Sequence, residues 1–342
     1  MASRKKHLTG WITAIAVAFL LLTLMRVFFI QVHVVHNTYM SNALLPGDMV
    51  FINKIVYGPR LPETPLTVPY TEIYSDKIQL PYLRFPGKGT IARNDIIAFN
   101  YPLDSILPPD KRPVYTKRLI GIPGDVVSIS AKKVYVNHRL VSLPDVKYAY
   151  LVKCSSSGTI NEIIKKYELT EGGIVDTKGI YKLFLTPRQA SIIDSFPGIE
   201  YVKLSLASTS QDFLFNAPVN STKRWNHDYI PPFVVPGKNI TISLTPDKIW
   251  VYETVIRFYE HRQLTVKDSL IFINGQPASY YTFSGNYYFV LDDNRDNAND
   301  SRNWGFLPEQ FIIGKVTRIL CSFDFEAPWW KTIRWKRTGK KP

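Results

Sequence analysis

Residues 8–25, "LTGWITAIAVAFLLLTLM", form an apolar run without a charge, and "VFFI" extends it beyond Arg26. That length meets the roughly 18–20 residues a helix needs to cross a bilayer, so the pattern predicts a transmembrane helix over 8–30. A cleaved signal peptide has a shorter apolar core, ~7–15 residues, and a small-x-small cleavage site after it. Here the bulky, strand-like "VFFIQVHVVHN" follows instead. Arg4, Lys5 and Lys6 make residues 1–7 a basic N-terminus, which positive-inside logic keeps in the cytoplasm. The chain from about Gln31 is then extracytoplasmic, and Arg26 snorkels to the interface.

Beyond the span the period changes. "DMVFINKIVYG", "NDIIAFNYP", "PVYTKRLIGI", "DVVSISAKKVYVNHRLV", "DSLIFINGQPASYYTF" and "NYYFVLDDN" are short β-rich runs bounded by turn residues. Helical spacing occurs in "TINEIIKKYEL" and "TPRQASIIDSF", both between residues 159 and 196. The expected fold class is therefore mainly β, with a core over 31–138 and 246–327 and an inserted subdomain of mixed α/β character over 139–245. The proline-rich stretch 57–89, "YGPRLPETPLTVPYTEIYSDKIQLPYLRFPGKG", lacks helical period and either packs on the protein or touches the membrane.

Composition supports the β reading: 24 prolines, 20 tyrosines and 19 phenylalanines favour strands and turns over long helices. A formal charge of +14 raises the question of nucleic acid. The basic residues concentrate at the two ends, "SRKKH" and "WWKTIRWKRTGKK", outside any nucleic-acid-binding motif. An anionic membrane surface is the better partner, and 328–342 reads as a basic interfacial tail, too short and charged to span. Cys154 and Cys321 lie far apart without metal-ligand spacing, so neither a metal site nor a cofactor is expected. One disulfide and two free thiols both remain open.

Three segments together resemble type I signal peptidases of peptidase family S26. "GDMVFINKIVYG" is similar to the family stretch after the nucleophile, and "VYTKRLIGIPGD" to the segment holding the catalytic lysine. "YYFVLDDNRDNANDSRNWGFLP" resembles the distinctive family block GDNRDNSxDSRxWG. "RNDIIAFNYP" adds a strand with Asn94 where glycine is common, and asparagine tolerates positive φ better than most residues. The resemblance implies acyl transfer by a Ser–Lys pair, the amine of a buried lysine taking the serine's proton. By motif that lysine is Lys117; the adjacent Arg118 cannot serve as a base. Asp293, Arg295, Asp300 and Arg302 are expected to form carboxylate–guanidinium pairs that pin the loops around it. Substrate would lie extended beside Val114, Tyr115 and Thr116 by strand addition.

The match fails where the serine should be. The family serine stands eight residues before the glycine of Gly-Asp, and here that position is Tyr39, followed by the matching Met40. Ala298 replaces a serine whose hydroxyl helps orient the lysine, and Asp292 replaces a glycine. A carboxylate beside the lysine favours its ammonium form and opposes its use as a base. A phenol at residue 39 carries its oxygen most of a ring's length too far, and ~1 Å of misplacement can cost about 100-fold. Ser41 is the alternative nucleophile: on a strand it shares the face of Tyr39 but is displaced by ~6.6 Å, whereas Thr38 faces the other way. Asn37 is a candidate oxyanion donor.

Two readings stay open. One is a membrane protein that engages signal peptides of exported preproteins, or partners an active signal peptidase relative, with impaired chemistry because Tyr39 replaces the serine. The other is an active serine endopeptidase with Ser41 as nucleophile and Lys117 as general base. The resemblance implies the bacterial inner membrane, single-pass, with the main domain on the periplasmic side.

Overall fold

The computed structural model describes residues 2–143, 146–176, 178–207, 226–328 and 331–342. It opens with helix α1 (Ala2–Phe28), whose segment Gly10–Phe28 has a mean hydropathy of 2.2 and is nowhere buried in the protein. The helix is thus apolar and long enough to cross a membrane. Its last carbonyls are satisfied from the chain that follows: Lys54 Nζ donates to the carbonyls of Arg26 at 2.9 Å and Val27 at 3.3 Å. Burial, then the Arg60 and Arg26 charges, push the Lys54 amine down to about 7. The proline-rich stretch packs on α1, with the Tyr70 ring 5.7 Å from Phe19 and the Phe85 ring 6.2 Å from Phe28.

The strands run in chain order as β1 (Ile30–Val34), β2 (Asp48–Asn53), β3 (Ile96–Asn100), β4 (Val114–Gly121), β5 (Val126–Ser130), β6 (Lys133–Val136) and β7 (Arg139–Leu140). After them come β8 (Tyr148–Cys154), α2 (Ser157–Lys166), β9 (Gly172–Asp176), β10 (Ile180–Leu185), α3 (Pro187–Asp194) and β11 (Ile199–Leu204). The chain continues with β12 (Tyr229–Val234), β13 (Thr241–Ser243), α4 (Ile249–Thr254), β14 (Leu264–Lys267), β15 (Leu270–Ile273), β16 (Gln276–Pro277) and β17 (Tyr280–Thr282). It closes with β18 (Tyr287–Leu291), α5 (Ser301–Trp304), β19 (Leu307–Pro308) and β20 (Ile312–Ser322). The protein is mainly β, as its period-2 runs predict.

Two compact units divide the chain, one formed by residues 1–35, 46–116 and 310–342, the other by 36–45 and 117–309. In the first, antiparallel strands pair in the order β1, β2, β20, β3. Gly47 starts this sheet at φ +88, and a Cβ there would stand 2.0 Å from the Phe323 carbonyl oxygen, so only glycine fits. Asn94, at φ +69, holds the turn before β3. The basic C-terminal run is tied to the sheet: Arg337 Nη2 meets Asp48 Oδ2 at 2.6 Å, and the Lys340 carbonyl accepts the Ile319 amide. Trp329 and Trp330 of that run lie outside the described residues.

The second unit holds, among its described residues, two hydrophobic clusters that matter here. The larger gathers residues such as Val127, Phe233, Tyr252, Phe283, Phe289 and Phe306 from β5, β12, α4, β18 and their neighbours. Helix α4 and the π-helical turn Val255–Tyr259 fall in a stretch the sequence reading passes over. "IWVYETVIRFY" is mostly β-branched and aromatic, with only Glu253 and Arg257 charged, and such a largely buried helix looks like a strand by periodicity. The smaller core lies within 146–204, where β11, β8, β10 and β9 form one sheet covered by α2 and α3. Both helices start where the apolar spacing predicts: Ser156 caps α2, and Thr186 and Gln189 form a capping box with Pro187 at the head of α3. Residues 208–225 of the predicted insertion lie outside the described residues. Cys154 and Cys321 are both free thiols.

Candidate active site

Lys117 sits midway along β4, half-buried at its start and mostly buried beyond, and is itself 1% exposed. A buried cation needs a partner, and the partner is Asp292, at the end of β18 and wholly buried. Lys117 Nζ lies 2.5 Å from Asp292 Oδ1 and 2.6 Å from Oδ2. Asp292 Oδ2 also accepts the Asn299 amide at 2.9 Å. Burial, only partly opposed by the Lys117 charge, raises the Asp292 carboxyl to about 6, with Asp300 adding to the rise. The Tyr39 ring covers the same amine, its centroid 4.6 Å from Nζ, as a cation–π contact. Lysine, carboxylate and ring thus form one closed group.

The segment 36–45 is not a strand. Tyr39 to Ala43 are turns, Ser41 N–H donates to the Thr38 carbonyl at 2.9 Å, and Leu44 N–H to Met40 at 2.8 Å. The strand alternation expected for Thr38 and Ser41 therefore does not apply; Asn42 at φ +104 turns the chain back before it can extend. Ser41 is buried, and its hydroxyl donates to the Thr38 carbonyl. Asn37 Oδ1 accepts the Tyr39 amide at 3.3 Å, so that side chain folds over its own turn.

Of the four charged residues expected to pair around the loop 292–300, two pair with each other. Asp300 and Arg302 meet at 2.8 Å, and Asp300 also caps α5. Burial pushes the Asp300 carboxyl up, but the Arg302 charge and hydrogen bonds outweigh it and hold it at about 2. Asp293 does not pair with Arg295. It takes a two-pronged contact from Arg118, at 2.7 and 2.6 Å. Arg295 is buried, makes no ion pair among the described residues, and leaves Nε and Nη1 without hydrogen bonds. Burial lowers its pKa. Arg118, set aside as a base, is thus the loop's clamp.

Lys132, Asp296, Asp228 and Glu171 were not singled out from the sequence. The β5–β6 hairpin turns through Ala131 and Lys132 at φ +47 and +66, which sends Lys132 Nζ to Asp296 and, at 3.6 Å, to Asp228. Only Asp296 carried a local signal, lying inside the "DDNRDNANDSR" block. Of the expected substrate strand, Val114 and Tyr115 are half-buried and Thr116 buried; the Tyr115 ring packs 5.2 Å from Tyr101. The β18 ladder on β4 ends at Leu291↔Arg118, one residue after Lys117.

A profile of the family described as "Signal peptidase, peptidase S26" matches residues 8–174 and 235–321, well over half of the chain. Signal peptidase I of Pseudomonas aeruginosa is 31% identical over 318 residues, covering 90% of this chain and 70% of that protein. Signal peptidase I of Buchnera aphidicola subsp. Schizaphis graminum is 24% identical over 330 residues, covering 94% and 78%. That of Helicobacter pylori is 23% identical over 320 residues, covering 93% and 82%. With a mainly β fold, an apolar N-terminal helix and a buried lysine within the matching strand motif, this chain belongs to the signal peptidase family, peptidase S26.

Proposed function

We propose that this protein engages the extended cleavage region of exported preproteins and that its hydrolytic step is impaired. The observation that carries the reading is the Lys117–Asp292 contact, 2.5 and 2.6 Å to the two carboxylate oxygens. A general base must accept a proton from its nucleophile. Carboxylate oxygens at both contacts only accept, so Nζ donates where a base would receive. The Tyr39 ring closes the amine from a further side. Ser41 offers no ready substitute, because its proton is already given to Thr38.

Binding needs none of that chemistry. A substrate strand added beside Val114, Tyr115 and Thr116 is supported by the point at which the β18 ladder stops. Arg4, Lys5 and Lys6 before α1 support an N-terminus in the cytoplasm and a periplasmic main domain. Membrane lipid is then a constant partner, and a catalytically competent relative is the second protein such a binder would serve. The structure-independent alternative, hydrolysis by Ser41 with Lys117 as base, requires the hydroxyl to leave Thr38 and Asp292 to leave Nζ.

The test is cleavage of a preprotein by the purified full-length protein in detergent, beside peptide binding by fluorescence anisotropy. The expected outcome is micromolar binding without cleavage, unchanged in Ser41→Ala. Cleavage that both Ser41→Ala and Lys117→Ala abolish overturns the reading and makes Ser41 the nucleophile.

A further inference from the structure

Glu171 lies in the smaller layer, one residue before β9, more than a hundred residues from the loop that it touches. Its carboxylate accepts from two asparagine amides of the site loop: Asn294 Nδ2 at 2.5 Å and Asn297 Nδ2 at 3.0 Å. Both asparagines hold the turn that carries Tyr39. Asn294 N–H donates to the Tyr39 carbonyl at 2.8 Å, and Asn297 Nδ2 donates to Thr38 Oγ1 at 3.1 Å. The chain of contacts therefore runs from an inserted sheet, through one carboxylate, to the residue standing over Lys117.

A further atom shows that the carboxylate selects this arrangement. Asn294 is fully buried, and its Oδ1 has no hydrogen-bond partner. An orphaned buried acceptor is costly and calls for a reason. Flipping the amide would turn Oδ1 toward the Glu171 oxygens, two acceptors face to face, so the negative charge holds Nδ2 inward. The family match breaks off at residue 174 and resumes at 235, three residues beyond Glu171. Glu171 thus lies near the end of the matched stretch, which also takes in β8 and α2 of the layer.

We propose that Glu171 is a positioning residue for the 37–41 turn, through which the inserted layer sets the place of Tyr39 against Lys117. The proposal rests on the binding function above and adds a control to it: peptide affinity depends on a carboxylate that does not touch peptide. Any ligand or partner that shifts β9 shifts the turn.

The test is hydrogen–deuterium exchange of the full-length protein in detergent, comparing wild type, Glu171→Gln, Asn297→Ala and the double variant. Glutamine keeps the shape and removes the charge. In Glu171→Gln the amides of Ser41 and Leu44 exchange roughly tenfold faster or more, as loss of charge-assisted bonds implies, while β8 and β10 keep wild-type protection. The double variant exchanges faster by less than the product of the two single effects, because the Glu171–Asn297 contact is common to both. A fluorescent cleavage-region peptide binds Glu171→Gln roughly tenfold more weakly at unchanged Tm. Unchanged exchange at residues 36–45, equal loosening of β8 and β10, or an unchanged peptide Kd with a loosened turn each overturns the proposal. If wild type binds no peptide, the binding function fails, and the exchange comparison alone decides Glu171.

Discussion

A lysine can act as a base only with a free lone pair, and at residue scale the proposed impairment has two sources. Asp292 takes two of the amine's hydrogen bonds, and the Tyr39 ring lies 4.6 Å from the same atom. On that proposal each obstacle is sufficient alone, so single reversions are poor tests. Tyr39→Ser is expected to stay inert with Asp292 in place, and Asp292→Gly to stay inert without a serine. The double variant Tyr39→Ser/Asp292→Gly is expected to cleave a preprotein, read as mature product on a gel. An active Tyr39→Ser single variant would show that Asp292 is no obstacle. Much of this was legible: Lys117, Tyr39 and Asp292 all follow from counting along the motif, and so does the charge beside the amine. Glu171 was not, because nothing near residue 171 announces a partner in the loop 292–300. Arg295 misled, because its neighbour Asp293 is claimed by Arg118, brought alongside only by the β4–β18 pairing.

At the scale of elements, the loop 292–304 behaves as a charged clip whose strength depends on pH. Asp300 caps α5 and accepts from Arg302, and its carboxyl is held at about 2 against an ordinary 3.8. A depressed carboxyl contributes stability that is full above the unfolded value and lost as pH falls through the folded one. The window is therefore about pH 4 down to about 2, and the size is roughly 2–3 kcal/mol for a wholly buried group. Asp300→Asn is expected to be less stable than wild type at pH 7 by about that amount. The gap should close as pH falls toward 2 in urea titrations followed by tryptophan fluorescence. A gap independent of pH would mean that the cap, and not the charge, carries the effect. Elements were most legible where one face is polar, as in α2 and α3, and least where most positions are apolar and buried, as in α4. The turn 39–43 was misread as a strand because no glycine or proline interrupts "NTYMSNALL"; the reversal falls instead on Asn42 in the left-handed region.

For the whole molecule, the inserted layer matters because it carries its own core yet meets the site loop, through Lys147 and Ala149 as well as through Glu171. Ile160, Ile163, Leu183 and Ile193 form a cluster apart from the residues packed around Phe233 and Phe289. A layer with its own core can loosen by itself, and local openings of that kind occur well below the global unfolding free energy. Ile193 is fully buried between α3 and the sheet. Ile193→Ala removes that packing and is expected to cost the layer about 2–5 kcal/mol. If the layer were passive, loosening it would leave the site untouched. With Glu171 fixed beside β9, a looser layer frees the Asn294 and Asn297 amides and, through them, the Tyr39 turn. Hydrogen exchange of Ile193→Ala should therefore show faster exchange in residues 146–204 and, with it, in 36–45, while Val127 and Phe289 remain protected. Adding Glu171→Gln to Ile193→Ala should then bring little further change at 36–45, since the Glu171 contact is already slack. Faster exchange confined to 146–204 would instead make the layer an independent appendage whose state the site does not sense.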